Sequence, residues 1–250
     1  FDLPRQVDLM VRGDYWGGLD TLPEFQNVAS PATRLFSTRA RFHFRDVRSS
    51  LGHVDDEKGI EWRALLDHDR VLEQDFVRVH GDLDLGLALP LGHASLWVRS
   101  SAGARLFGDR EEPFAAFFFG GFGNNWVDRG AEKRYREHYS FPGVELNEVG
   151  GTSFVKSMLE LNLPPLRFRR LGTPGLHVTW ARPALFTSAL VTDPSDGALR
   201  RTLTNVGGQV DFRFTILSAL DMTLSAGYAA AFEDGHRPRR EGMVSLKLLK

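Results

Sequence analysis

The chain contains no cysteine, which excludes a disulfide framework and thiolate metal sites. It lacks a charge excess: 31 basic and 32 acidic residues give a net charge of −1, which offers no field for nucleic acid. It also lacks long hydrophobic runs. The longest, such as Ala115 to Phe119, fall far short of the roughly 20 apolar residues that a membrane helix needs. A helical membrane protein is therefore excluded. A membrane β-barrel is not, because only alternate residues of its strands meet lipid. Catalytic signatures are missing too: there is no His-Glu-x-x-His, no Gly-x-Ser-x-Gly and no P-loop. Gly121 and Gly123 lack the third glycine of a dinucleotide loop and read as turn glycines. No enzymatic activity, cofactor or metal is expected.

What is present is a period of two. From Val77 to Leu89 one face reads Val77, Val79, Gly81, Leu83, Leu85, Leu87, Leu89, and the other Arg78, His80, Asp82, Asp84, Gly86, Ala88. Such alternation predicts a strand with one apolar face. The pattern recurs at Phe36 to Arg45, Ile60 to Asp67, Ala94 to Leu106, Val155 to Leu163, Val206 to Ile216, Met222 to Phe232 and Val244 to Leu248. Less regular strands are expected at Val7 to Tyr15, Phe114 to Phe122 and Leu176 to Leu190, where Pro183 suggests a bulge or a strand end. Short links are expected at Pro90 to His93 and Ser218 to Asp221. Longer polar links fall at Gly17 to Pro31, Gly123 to Gly150, Thr192 to Arg201 and Glu233 to Glu241. Long strands with alternating short and long connections fit an outer-membrane barrel. The expectation is one all-β domain over residues 1–250, a transmembrane antiparallel barrel with about eleven or twelve strands visible. An eleventh strand is awkward, since single-chain bacterial barrels close with even numbers. The chain opens at Phe1 without Met or a signal segment, and reads as the ordered part of a longer protein with further strands upstream.

Alternation does not say which face meets what. In a soluble β-sandwich the apolar faces meet each other; in a membrane barrel they meet lipid, and the charges line a lumen. Strand length and the density of charge on the polar faces favour the barrel. Arg39, Arg41, Arg45, Arg78, Asp82 and Asp84 then form a lumenal charge network. His43 and His80 join it near Asp82 or Asp84. Trp16, Phe36, Phe76, Phe107, Phe122, Trp126, Tyr228 and Phe232 are candidates for interfacial girdles. Asp55, Asp56 and Glu57 read as a solvated acidic turn, with Ca²⁺ as the alternative. Arg167, Arg169, Arg170, Arg200 and Arg201 read as loop charge, with lipid phosphates as the alternative.

One stretch carries a resemblance. Phe118, Phe119, Gly120, Gly121 and Phe122 precede a polar loop with Val127, Asp128, Arg129 and Gly130. Gly150, Gly151, Thr152, Ser153 and Phe154 then lead into Leu159, Glu160, Leu161, Asn162, Leu163 and Pro164. This resembles the C-terminal barrel of the bacterial surface-antigen superfamily, which includes BamA and TamA. The resemblance covers about 75 residues. It departs at Ala131, where the family has an aromatic residue, and at the last residues Leu248, Leu249 and Lys250, where the family ends on one. Lys133 to Asn147, with Arg134-Tyr135-Arg136 and Phe141-Pro142-Gly143, suggests a divergent branch.

The resemblance implies a sixteen-stranded barrel in a Gram-negative outer membrane. It implies that the sixth outer loop, here 123–150, folds into the lumen. It further implies that Arg129 and Gly130 of that loop lock onto inward acids of the wall, of which Glu160 and Asp211 are the candidates. The implied work is protein insertion or translocation, or membrane anchoring of a larger assembly. Implied partners are outer-membrane lipid and lipopolysaccharide, the barrel assembly machinery, and a periplasmic domain or complex. A channel with porin-like transport and a soluble β-sandwich binding module stand as the alternatives.

Overall fold

Residues 5–19, 32–71, 73–123, 133–173, 175–217 and 220–249 are described by a computed structural model. The alternating segments are extended strands: β1 (Gln6–Gly17), β2 (Arg34–Arg48), β3 (Lys58–Val71), β4 (Gln74–Ala88), β5 (Ser95–Phe107), β6 (Phe117–Phe119), β7 (Val149–Gly151), β8 (Ser153–Asn162), β9 (Leu166–Thr173), β10 (Leu176–Thr192), β11 (Arg201–Ile216), β12 (Leu220–Glu233) and β13 (Arg239–Leu249). Helical structure among the described residues is confined to short 3-10 turns. Eleven strands form one antiparallel sheet in chain order, and β6 and β7 form a separate two-stranded ladder. The all-β, antiparallel expectation holds. Among the described residues β1 pairs only with β2, and β13 only with β12, so both edges are open.

The sheet has ten positions, because β8 and β9 both pair with β10 along successive stretches of it. Pro164 and Pro165 separate them. Sequence reading missed β9, because this break hides the alternation that resumes at Leu166; Arg167 and Arg169 are strand residues, not loop charge. Pro183 neither ends nor bulges β10, which runs 17 residues through it. The carbonyl of Pro183 accepts from Leu163 N at 3.0 Å, so its imide nitrogen faces the same side, at the Pro164–Pro165 gap where no ladder bond is lost. The irregularity sits instead between Val178 and Trp180.

The predicted strand at Phe114 to Phe122 does not join the wall. A 3-10 turn at Pro113–Ala115 and positive φ at Gly120 and Gly121 break it, leaving three residues that pair with β7. Phe117, Phe119 and Phe122 sit inside the molecule, while Phe118 between them is exposed. This removes the odd strand from the expected count.

The two faces of the sheet differ sharply. Leu9 on β1 is 74% exposed, and Leu85, in mid-strand on β4, 45%. Val98, Val155, Leu159, Leu185, Val206, Leu224, Val244 and Leu246 continue this exposed belt across the wall. The opposite face buries polar groups: Asp67, Glu160, Arg182, Asn205, Gln209, Asp211 and Ser225. Leu159 and Glu160 are chain neighbours, yet the first is 45% exposed and the second fully buried. Among the described residues, the apolar faces do not stack against a second sheet. Of the girdle candidates, Trp16, Phe36, Phe107 and Phe232 are exposed at the end carrying the long loops. Phe76 and Phe122 are not; both are buried, Phe76 with Val71 and Ala115, Phe122 with Tyr135 and Phe186. Trp126 lies outside the described residues.

Candidate functional site

What fills the concave face is the segment between β5 and β8. It enters at Phe107, returns at Ser153, and reaches Asn162 at the far end of β8. That is nine residue steps, about 30 Å along the strand.

Its root packs by apolar contact. Phe117, Phe119, Phe141, Val144 and Val149 meet Phe154, Leu190, Leu203 and Ala231 of the wall. Gly143 makes this approach possible: with φ of 103°, an added Cβ would lie 2.7 Å from the Ala231 nitrogen. Polar anchors surround the root. The Glu241 carboxylate on β13 accepts from Phe122 N at 3.1 Å and Gly143 N at 2.8 Å. Asn205 Nδ2 donates to Pro142 O at 2.9 Å, and Lys156 Nζ to Ser140 O at 3.1 Å. Further in, the Tyr135 ring stacks on Phe186 at 4.4 Å.

The tip carries the charge. Arg136 Nε donates to Glu160 Oε2 at 2.9 Å and Nη2 to Asp55 Oδ2 at 2.7 Å. Arg99 Nε, from β5, donates to Glu160 at 2.7 Å. Lys133 Nζ donates to Asn162 Oδ1 at 3.0 Å and lies 3.6 Å from Asp211. A buried carboxylate survives as an ion only when paired in this way. Burial and the Arg136 charge push the Lys133 ammonium down to about 8, although Asp211 and Glu160 hold it up. Burial pushes Asp55 up, but Arg136, Lys133 and Arg182 outweigh it and hold its carboxyl well below the usual range.

The sequence-predicted residues divide as follows. Glu160 and Asp211 both face the interior and both meet loop cations, but different ones: Arg136 and Lys133. Arg129 and Gly130 lie outside the described residues. The predicted charge network faces inward, and its members pair with carboxylates or cations other than one another. Arg39 meets Asp67 at 2.5 Å, Arg41 meets Asp8 at 3.0 Å, and Arg45 meets Asp56 at 2.6 Å. Arg78 meets Asp69 at 2.9 Å, Asp82 meets His138 at 2.7 Å, and Asp84 meets Arg99. His43 meets Glu61 at 2.9 Å, while His80 lies against the His138 ring at 4.4 Å. The acidic turn is not simply solvated. Asp55 points into the interior, and Glu57 binds His93 at 2.8 Å. No group of three or more His, Asp or Glu suited to a metal occurs among the described residues.

Sequence reading missed Arg136, Lys133, Asp55 and Arg182. The Arg134-Tyr135-Arg136 cluster was visible, but nothing local says which loop arginine reaches an acid on a strand 24 residues away.

The described residues of this segment pack against the sheet by apolar contact at the root and by ion pairs at the tip. No protein-family model, no curated protein and no solved structure matches this chain.

Proposed function

We propose that the chain is the wall and plug of an outer-membrane β-barrel of the surface-antigen type. On this reading it serves protein insertion or translocation, or anchors a larger assembly in the membrane. The observation that carries this is the inverted partition: apolar side chains exposed on the outer face, charged and amide side chains buried around the plug. A soluble sandwich would bury the first set. Apart from β9, with 8 residues, the strands of the large sheet run 10 to 17 residues, ample for the roughly 9–11 a tilted crossing needs. The open edges of β1 and β13 call for partner strands, because unpaired backbone groups in hydrocarbon cost several kcal/mol each.

Strand count adds support. In a sixteen-stranded up-and-down barrel the sixth outer loop joins strands eleven and twelve, which leaves five positions after it. Five positions follow the plug here: β8 with β9, β10, β11, β12 and β13. The plug covers the wall from β8 to β13, which speaks for an assembly or anchoring role rather than free diffusion through a porin-like pore.

The test is fractionation of cells that make the full protein. It should sediment with the outer membrane, need detergent for extraction, and migrate faster on a denaturing gel before boiling than after. Recovery from the aqueous fraction as a monodisperse protein would overturn the reading.

A further inference from the structure

Beside the plug tip lies a cavity of about 180 Å³. Two cross-strand rows build it. Trp180, Arg213, Thr223 and Lys247 are register partners in succession across β10, β11, β12 and β13. Arg182, Asp211 and Ser225 form the next row inward. Lys133 of the plug, with Val54 and Asp55 of the β2–β3 turn, closes it.

The lining carries Lys133, Arg182, Arg213 and Lys247 beside two carboxylates, Asp55 and Asp211; Arg213 Nη2 donates to a third, Asp221, at 2.9 Å. Both lining carboxylates already have donors. Asp55 accepts from Arg136, and Asp211 accepts from Gln209 Nε2 and Ser225 Oγ, each at 2.6 Å. Arg182 is the register partner of Asp211, yet it makes no hydrogen bond to it. Its side chain is 1% exposed, and Nε, Nη1 and Nη2 all lack a hydrogen-bond acceptor. Nη1 lies 3.4 Å from Asp55 without hydrogen-bond geometry. A buried guanidinium with three unused nitrogens, aimed into a polar cavity, is missing its acceptor.

We propose that this cavity binds a phosphate-class oxyanion, free or as a lipid headgroup, with Arg182 as its principal ligand. Arg182 supplies a planar fork that fits two oxygens of a tetrahedral anion, and Lys133 supplies a point charge. Thr223 places a hydroxyl in the same lining. The volume admits a small anion with water, since a water takes roughly 30 Å³ of liquid. The site lies on the concave face, so it stands whether or not the outer face meets lipid.

Inorganic phosphate titrated into the full chain at low salt, in an uncharged detergent, tests this by calorimetry or phosphorus NMR line broadening. Saturable binding is expected, weakened about tenfold or more by Arg182→Gln and several-fold by Arg213→Gln, and unchanged by Arg110→Gln at the loop end. Micelles containing phosphatidylglycerol that compete assign the group to a lipid headgroup; micelles that do not compete assign it to a free anion. Absence of saturation by about 10 mM phosphate, or equal affinity of the Arg182→Gln chain, would overturn the site. Should Arg182→Gln fail to give the protease pattern of the folded chain, Arg213→Gln decides: unchanged affinity there also overturns it.

Discussion

The wall of β1 to β3 and the wall of β8 to β13 share one alternation but use their inner faces differently. Along β1 to β3 the inner side chains are long and charged, and they pair with a neighbouring strand, at exposed positions for Arg41 with Asp8 and over a buried carboxylate for Arg39 with Asp67. Along β8 to β13 the inner side chains are mixed. Phe154, Phe186 and Leu190 seat the plug, while Glu160, Asn162 and Asp211 receive its cations. A charge ladder needs only water and its cross-strand partner. Glu160 and Asp211 take part of their compensation from cations that the plug delivers. The first wall can therefore form without the plug, whereas the second depends on it.

Four changes bear on that difference, from the largest effect to the smallest. Glu160→Ala removes the acid that Arg136 and Arg99 share, leaving them only Asp55 and Asp84, and should cost about 3–5 kcal/mol in denaturant unfolding, with earlier protease cleavage between β5 and β8; full stability would mean the plug does not depend on this acid. Leu85→Arg, on the outer face of β4 between the two walls, should cost ~2–4 kcal/mol in a bilayer and little in water. Tolerance of that change in lipid would reverse the two faces.

Asp55 gives a pH dependence. Its folded carboxyl titrates below its unfolded value of about 3.9. Its contribution is thus fully present above that value and is lost as pH falls through the folded one. Unfolding midpoints measured downward from pH 5 should fall less steeply in Asp55→Asn than in the parent chain. Equal slopes would show that Asp55 is not held by Arg136 and Arg182. Last, Arg41→Ala on the first wall should cost about 0–1 kcal/mol, less at high salt. A loss as large as that of Glu160→Ala would erase the contrast between the walls.

Much of the wall was legible because a strand writes itself locally. Leu83, Leu85 and Leu87 against Asp82, Asp84 and Gly86 announce both the extended backbone and its two faces. The misreadings share one cause. Phe114 to Phe122 has strand composition but seats Phe117, Phe119 and Phe122 in the interior away from the wall sheet, a placement that alternation does not encode. Leu166 to Thr173 alternates, but only beyond a Pro-Pro break, and what makes that break harmless is the matching Pro183 on another strand.

By itself the sequence determined the period of two, the lengths of the long strands and the sides that carry charge, since each rests on side chains one or two residues apart. Only the tertiary structure decided that the charged sides close around Lys133, Tyr135 and Arg136, and that Asp55 reaches across to meet them. Those pairings join residues 24 to 81 positions apart. They follow from how the sheet curves and where the long loop turns back, which no short window of sequence contains.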